Sequence, residues 1–324
     1  AYNRVTGRII AAQAGWCAGM GHTDPCMSIS AAISQAERLQ HDLWVLYIDL
    51  ATFFPRVRRD IVYASELLAG LPPSVLEMVA LIYGEHSDHE AAVKCRYESA
   101  GGLGDAFENW MGCLMGCVLS PDRCKILLNS ILAAINLVAR GVTLFGASAA
   151  DRHRTWDRIA QAAFADDWCG VFETVGDLRA AWELWASWEL ITGSKLGVKN
   201  LLRTAVRGVR WLDGRAHELA DPQLELNGGG TVPFMGATEY YKHLGTWKNL
   251  KGEWEVAWSH PKHGLKKKFM AAVARCKSMR KPSRDALVVV GNALLGGLGG
   301  AYLQTMYISR KQADTIESAY LRVF

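Results

Sequence analysis

The stretch AFADDW, residues 163–168, sets two aspartates side by side between apolar and aromatic neighbours. Burial penalises an unpaired charge heavily, so two adjacent carboxylates here need a reason. The plainest is a hairpin tip, because Asp tolerates tight turns. The surrounding AQAAFADDWCGVFE does predict strand, turn, strand, with Asp166 and Asp167 at the tip. A second acid-terminated run lies upstream. In LWVLYIDLATFF, residues 43–54, the first half predicts a buried strand ending at Asp49. If the two strands are neighbours, Asp49, Asp166 and Asp167 converge. Oxygen ligands of that kind suit a hard divalent cation such as Mg²⁺. Two metals so held stabilise the attacking and leaving oxygens of an in-line phosphoryl displacement.

The rest of the chain supplies helices around these strands. Apolar residues recur at helical spacing over residues 27–40 (Ile29, Ala32, Ile33, Ala36, Leu39). RRDIVYASELLAGL and PPSVLEMVALIYG predict two further helices, the first closed by Gly70 and the second opened by prolines. Residues 92–98 predict a strand followed by a Gly-rich turn. SPDRCKILLNSILAAINLVA predicts a long apolar helix with Ser120 and Pro121 at its start. GDLRAAWELWASWELITG predicts another, with Leu178, Trp182, Trp185 and Trp188 as core. DPQLELNGGGTVPF reads as a surface loop. Single strands between long helices, with one hairpin, predict an α+β fold: a small antiparallel sheet backed by helices. From about residue 246 the chain is more basic and reads as a separate helical lobe.

Composition excludes several classes. Half of the 324 residues are hydrophobic and 21% are charged, which is ordinary globular composition. The formal charge of +4 is compatible with a polyanionic partner but does not demand one. Eight cysteines show no paired C-x-x-C or Cys/His spacing, which argues against a zinc module and for reduced thiols. AYNRVTGRII carries no secretory signal, so an intracellular or nuclear location is expected. Residues 286–308 are uncharged and long enough to cross a bilayer, but Asn292 and a run of glycines predict a buried helical hairpin instead.

The order of three blocks is the specific signal. Asp49, Phe54 and Val57 come first; Gly112, Gly116, Leu119, Ser120 and Pro121 follow; Phe164 to Asp167 close the set. This order resembles the reverse transcriptase palm. TGSKLGVKNLLRTAV resembles that family's next element, through Gly197, Asn200, Arg203 and Thr204, and YYKHLGTWKN is similar to its primer-grip hairpin. QAGWCAGMGHTDPCMSISAAI resembles the Gln-x-Gly segment of non-LTR (LINE-type) retrotransposon reverse transcriptases. SRDALVVVGNALLGGLGGAY and ISRKQADTIESAYLRVF are similar to that group's thumb helices.

The resemblance implies a right-hand polymerase with palm and partial fingers over residues 1–245 and a helical thumb-like region over 246–324. It implies an RNA-directed DNA polymerase that adds nucleotides to a primer 3′-OH, using two Mg²⁺ ions, with Mn²⁺ as a substitute. Asp49 and Asp166 would ligate both ions and Asp167 would be their neighbour. Phe54 would crowd a ribose 2′-OH and favour deoxynucleotides. Gly116 would lie against the templating pair, Ser120 would belong to the substrate-binding block, and Arg203 or Lys199 would stand near the triphosphate. Partners would be an RNA template, a DNA primer and dNTPs, with no membrane. An endonuclease and any other domains would lie outside this chain.

Two departures stand out. Met115 occupies a position where the family often has Gln, and Met cannot donate the same hydrogen bonds. The resemblance also implies a start inside the fingers, with the β-hairpin over the incoming nucleotide expected to be absent. Arg56, Arg58 and Arg59, and the distal Lys266, Lys267 and Lys268, are candidate phosphate contacts. Two alternatives remain open: a catalytically impaired, nucleic-acid-binding remnant of a retroelement, and a group II intron maturase-like protein.

Overall fold

The computed structural model describes residues 12–15, 17, 19–83, 94–99, 102–108, 111–114, 117–144, 157–198, 204–244, 246–251, 258–259, 264–278 and 309–321. Its centre is an antiparallel sheet of five strands, in the order β6-β7-β1-β8-β9. These are β1 (Asp42–Ile48), β6 (Gln161–Phe164), β7 (Asp167–Phe172), β8 (Ala205–Leu212) and β9 (Arg215–Glu218). β1 sits between β7 and β8, so the two acid-bearing runs are direct neighbours, which meets the condition left open by the sequence.

The sheet is buried on both faces, which explains why LWVLYI is apolar without interruption. Side chains alternate across a strand. From β1, Trp44, Leu46 and Ile48 join Trp168 and Phe172 of β7 on one face. That face is covered by α5 (Ser120–Val138) and α6 (Val175–Thr192), whose Leu127, Ile131, Leu178, Trp185 and Trp188 complete the core. The tryptophans pack edge to face: Trp185 lies 5.3 Å from both Trp168 and Trp188. Leu43, Val45 and Tyr47 point to the opposite face, against Ile29, Ala32, Ile33 and Ala36 of α1 (Thr23–Leu39).

Three short helices border the first layer: α2 (Phe53–Arg56), α3 (Arg59–Leu68) and α4 (Pro73–Ile82). Two-stranded pairs are formed by β2 (Lys94–Ser99) with β3 (Gly102–Glu108), β4 (Val142–Leu144) with β5 (Asp157–Ile159), and β10 (Tyr241–His243) with β11 (Thr246–Lys248). Distally, α7 (Leu265–Lys277) contacts α8 (Arg310–Leu321). The fold is α+β, as read from the sequence. Sequence reading missed β3, β4, β5, β8 and β9. The stretch 286–308 lies outside the described residues, and among the described residues no helix is long and apolar enough to cross a membrane.

Candidate active site on the central sheet

Asp49 is the first residue past β1, and Asp167 is the first residue of β7. The last paired residues are Ile48 and Trp168, so the register continued by one step sets Asp49 opposite Asp167. By alternation both belong to the face that carries Tyr47 and Cys169. Asp166 occupies the two-residue turn closed by the pair Phe164 and Asp167. All three aspartates are half-buried.

The backbone of Asp49 is pinned from behind by the segment after α6. Gly197 N–H donates to the Asp49 carbonyl at 2.8 Å, and the Asp49 N–H donates to Thr204 Oγ1 at 3.2 Å. Leu50 bridges Leu196, and Ala51 N–H donates to the Lys195 carbonyl at 2.7 Å. Gly197, through its main-chain N–H, and Thr204, through its hydroxyl, therefore hold the backbone of Asp49. Asn200, Lys199 and Arg203 lie outside the described residues.

The hairpin β10–β11 approaches the acids on the Tyr47 face. Tyr241 stacks on Tyr47 with ring centres 3.8 Å apart and planes 13° from parallel. Its phenol is pushed well above the ordinary tyrosine range by burial first, and then by Tyr47, Cys169, Asp167 and Asp49. That one group feels both Asp49 and Asp167 agrees with the strand register.

The middle block docks on the element that carries Phe54. Cys113 N–H donates to the Phe54 carbonyl at 2.6 Å, and Gly112 N–H to the Val57 carbonyl at 2.9 Å. Gly112 has φ +75°, and a Cβ there would lie 2.4 Å from the Phe54 carbonyl oxygen. Phe54 itself is half-buried, its ring edge-on to Phe53 at 6.0 Å. Met115 and Gly116 lie outside the described residues.

Two expected ligand contacts turn inward instead. Ser120 is buried; its hydroxyl donates to the Leu114 carbonyl at 2.7 Å and meets the Tyr83 hydroxyl at 2.9 Å. It braces the loop before α5. Arg59 is also buried; it donates to the Gly112 carbonyl at 2.8 Å and packs on the Tyr83 ring, 5.1 Å from its centre. Its charge is satisfied by the backbone it anchors, so it is corrected from a phosphate contact to a scaffold residue. Arg56 and Arg58 remain exposed, Arg56 bonded to Thr52 Oγ1 at 2.6 Å and Arg58 to Asp60 at 2.6 Å. Lys266 and Lys267 are exposed on α7, and Lys268 is half-buried.

The donor chemistry suits a hard cation, because the acids offer only oxygens. As placed, however, the side chains do not close on one point: among the described residues no group of three or more His, Cys, Asp or Glu is arranged to hold a metal ion. Antiparallel partners have Cα atoms about 4.5–5.5 Å apart, so the register sets the backbones of Asp49 and Asp167 close together. Gln13 opens the Gln-x-Gly segment, and sequence reading assigns it no site role. It lies beneath the acidic turn and is fully buried.

No protein-family model matches the sequence, and no curated protein matches it. Among solved structures, the chain is similar to apo telomerase from Candida tropicalis, at 12% identity and a TM-score of 0.47, covering 99% of this chain and 48% of that one. It is also similar to telomerase from Candida albicans in complex with a TWJ fragment of telomeric RNA, at 10% identity and a TM-score of 0.38, covering 96% and 48%. A C-terminally truncated C. tropicalis telomerase is similar over 64% of this chain and 41% of that one, at 11% identity and a TM-score of 0.39. This chain spans less than half the length of each. At these identities and scores the likenesses assign no activity.

Proposed function

We propose that this chain carries the catalytic palm of an RNA-directed DNA polymerase of the reverse transcriptase type. The observation that supports this most is the adjacency of β1 and β7, which sets Asp49 beside the Asp166–Asp167 turn. Two segments far apart in sequence thus carry three aspartates to the same end of one sheet. Phe54 lies five residues after Asp49, on a helix fixed by the Gly112 loop. The ordered blocks of the sequence resemblance fall on these same elements.

In this reading Asp49 and Asp166 hold Mg²⁺, and the ions supply charge stabilisation to a phosphoryl displacement. Asp167 shapes the field around them. Phe54 discriminates by size at the sugar. Arg56, Arg58 and the exposed lysines of α7 neutralise template and primer phosphates. The non-LTR element class rests on the Gln-x-Gly segment and the thumb-like helices, and separates this reading from a group II intron maturase-like one.

Primer extension on an RNA template with Mg²⁺ tests the reading. Asp49→Asn and Asp166→Asn should each abolish extension while leaving duplex affinity without Mg²⁺ unchanged or slightly higher, since a negative charge is removed. Extension that survives either change would overturn the assignment. A second reading has a specific observation in its favour: among the described residues no three acids, His or Cys are grouped to hold a metal ion, and Met115 stands where the resembled family often has Gln. A nucleic-acid-binding remnant would bind primer–template duplex with strong salt dependence and extend nothing.

A further inference from the structure

The acidic turn is built on a backbone conformation that its own residues disfavour. Ala165 has φ +58°, a left-handed value that costs a residue with a Cβ of order 1 kcal/mol or more. Turns of this geometry usually place Gly or Asn there. Something outside the hairpin must hold it.

The segment 12–15 supplies the hold. It runs parallel to β6: Ala14 N–H donates to the Ala163 carbonyl, and Ala163 N–H to the Ala12 carbonyl, both at 2.8 Å. The buried Gln13 amide then reaches the turn itself. Its Oε1 accepts from Ala165 N–H at 3.1 Å and from Gly15 N–H at 2.8 Å. Its Nε2 donates to the Ala165 carbonyl at 3.2 Å. One side chain thus engages both backbone groups of the strained residue. Gly15 is what permits the approach, since a Cβ there would stand 2.1 Å from the Ala165 nitrogen.

We propose that Gln13 is a positioning residue for the Asp166–Asp167 pair: it locks the left-handed Ala165 and thereby fixes where the two carboxylates leave the hairpin. The proposal rests on the polymerase reading above for its chemical consequence, but the clamp itself does not. Only an amide does this work. Glu lacks the donor and would set an anion against the Ala165 carbonyl; Met fills the same volume with neither group. Residues that orient ligands from behind typically change metal affinity or activity about 10–100-fold when lost.

The test combines three measurements. In the wild-type protein, amide exchange followed by NMR should show the Ala165 N–H as protected as the strand amides of β6 and β7, although it sits at a hairpin tip. An exchange rate near that of an unfolded chain would overturn the clamp without any variant. In Gln13→Met and Gln13→Glu, Mn²⁺ binding followed by electron paramagnetic resonance should weaken by about 10–100-fold. Primer-extension kcat should fall in parallel, with KM for dNTP and duplex affinity unchanged. Gln13→Met that folds, yet binds Mn²⁺ and turns over like wild type, would overturn the positioning role. Should neither variant fold, exchange at Ala165 decides alone. Absence of extension by the wild type would refute the polymerase reading and leave the exchange result to decide the clamp.

Discussion

Gly112 shows how a single residue couples two blocks of the sequence. It adopts φ +75° and lies so close to α2 that a Cβ would meet the backbone of Phe54 and Pro55 at 2.4 Å. Gly112→Ala therefore combines a disfavoured backbone region with a clash against main chain, which cannot rotate away. Left-handed strain alone is worth about 1–3 kcal/mol. Urea unfolding should show a midpoint lowered by at least that equivalent; an unchanged midpoint would mean the loop does not dock on α2. In the proposed polymerase, Phe54 is the functional counterpart of this contact. Its carbonyl is held by Cys113 N–H, so its ring is carried on a fixed backbone. Phe54→Ala should lower the ratio of dNTP to NTP incorporation in primer extension, because the 2′-OH no longer meets a ring. Unaltered selectivity would remove the gate role.

At the scale of elements, α3 and α5 are tied by a buried ion pair. Arg123 Nε lies 2.8 Å from Glu66 Oε1, with both side chains almost wholly buried. The guanidinium also lies over Tyr63 and Tyr83, 4.6 and 4.4 Å from their ring centres. Burial opposes the charge on Arg123, but the hydrogen bond and attraction of Glu66 outweigh it and raise the guanidinium pKa. Glu66→Ala strands that charge in the interior and should cost about 3–5 kcal/mol in chemical unfolding, whereas Glu66→Leu with Arg123→Met should recover most of the loss. A single substitution that unfolds like wild type would show the pair to be solvated. The pair was not legible in the sequence, because Glu66 and Arg123 sit on faces that helical periodicity marks only by their apolar neighbours. β1, β6 and β7 were legible, since apolar runs ending in acids are rare and the turn chemistry is local. β8 was not. Its Arg207 is fully buried, donating to the Gly236 carbonyl, and Gly208 leaves room for the Trp44 ring at 2.6 Å from where a Cβ would stand. A charge and a glycine inside AVRGVRWL hide a central strand whose reason lies in distant residues.

Across the whole molecule, the candidate acids and the candidate phosphate contacts are different residues on different elements, and the two should fail independently. The carboxylates gather at one end of the sheet, while Lys266 and Lys267 are exposed on α7, far along the chain. Each phosphate neutralised releases condensed counterions, so the logarithm of affinity falls with the logarithm of salt concentration with a slope of about 0.9 per contact on duplex DNA. The buried Arg59 cannot join that count, which leaves Arg56, Arg58 and the α7 lysines as the candidate contacts. Lys266→Ala and Lys267→Ala should each reduce the slope for primer–template binding by about 1, weakening affinity evenly across sequences. Arg59→Ala should instead leave the slope unchanged and lower stability, because its guanidinium bonds the Gly112 carbonyl at 2.8 Å. Filter binding over a salt series, run beside unfolding curves, separates the two classes. A slope change on losing Arg59, or none on losing both lysines, would move the nucleic-acid path to another surface of the molecule.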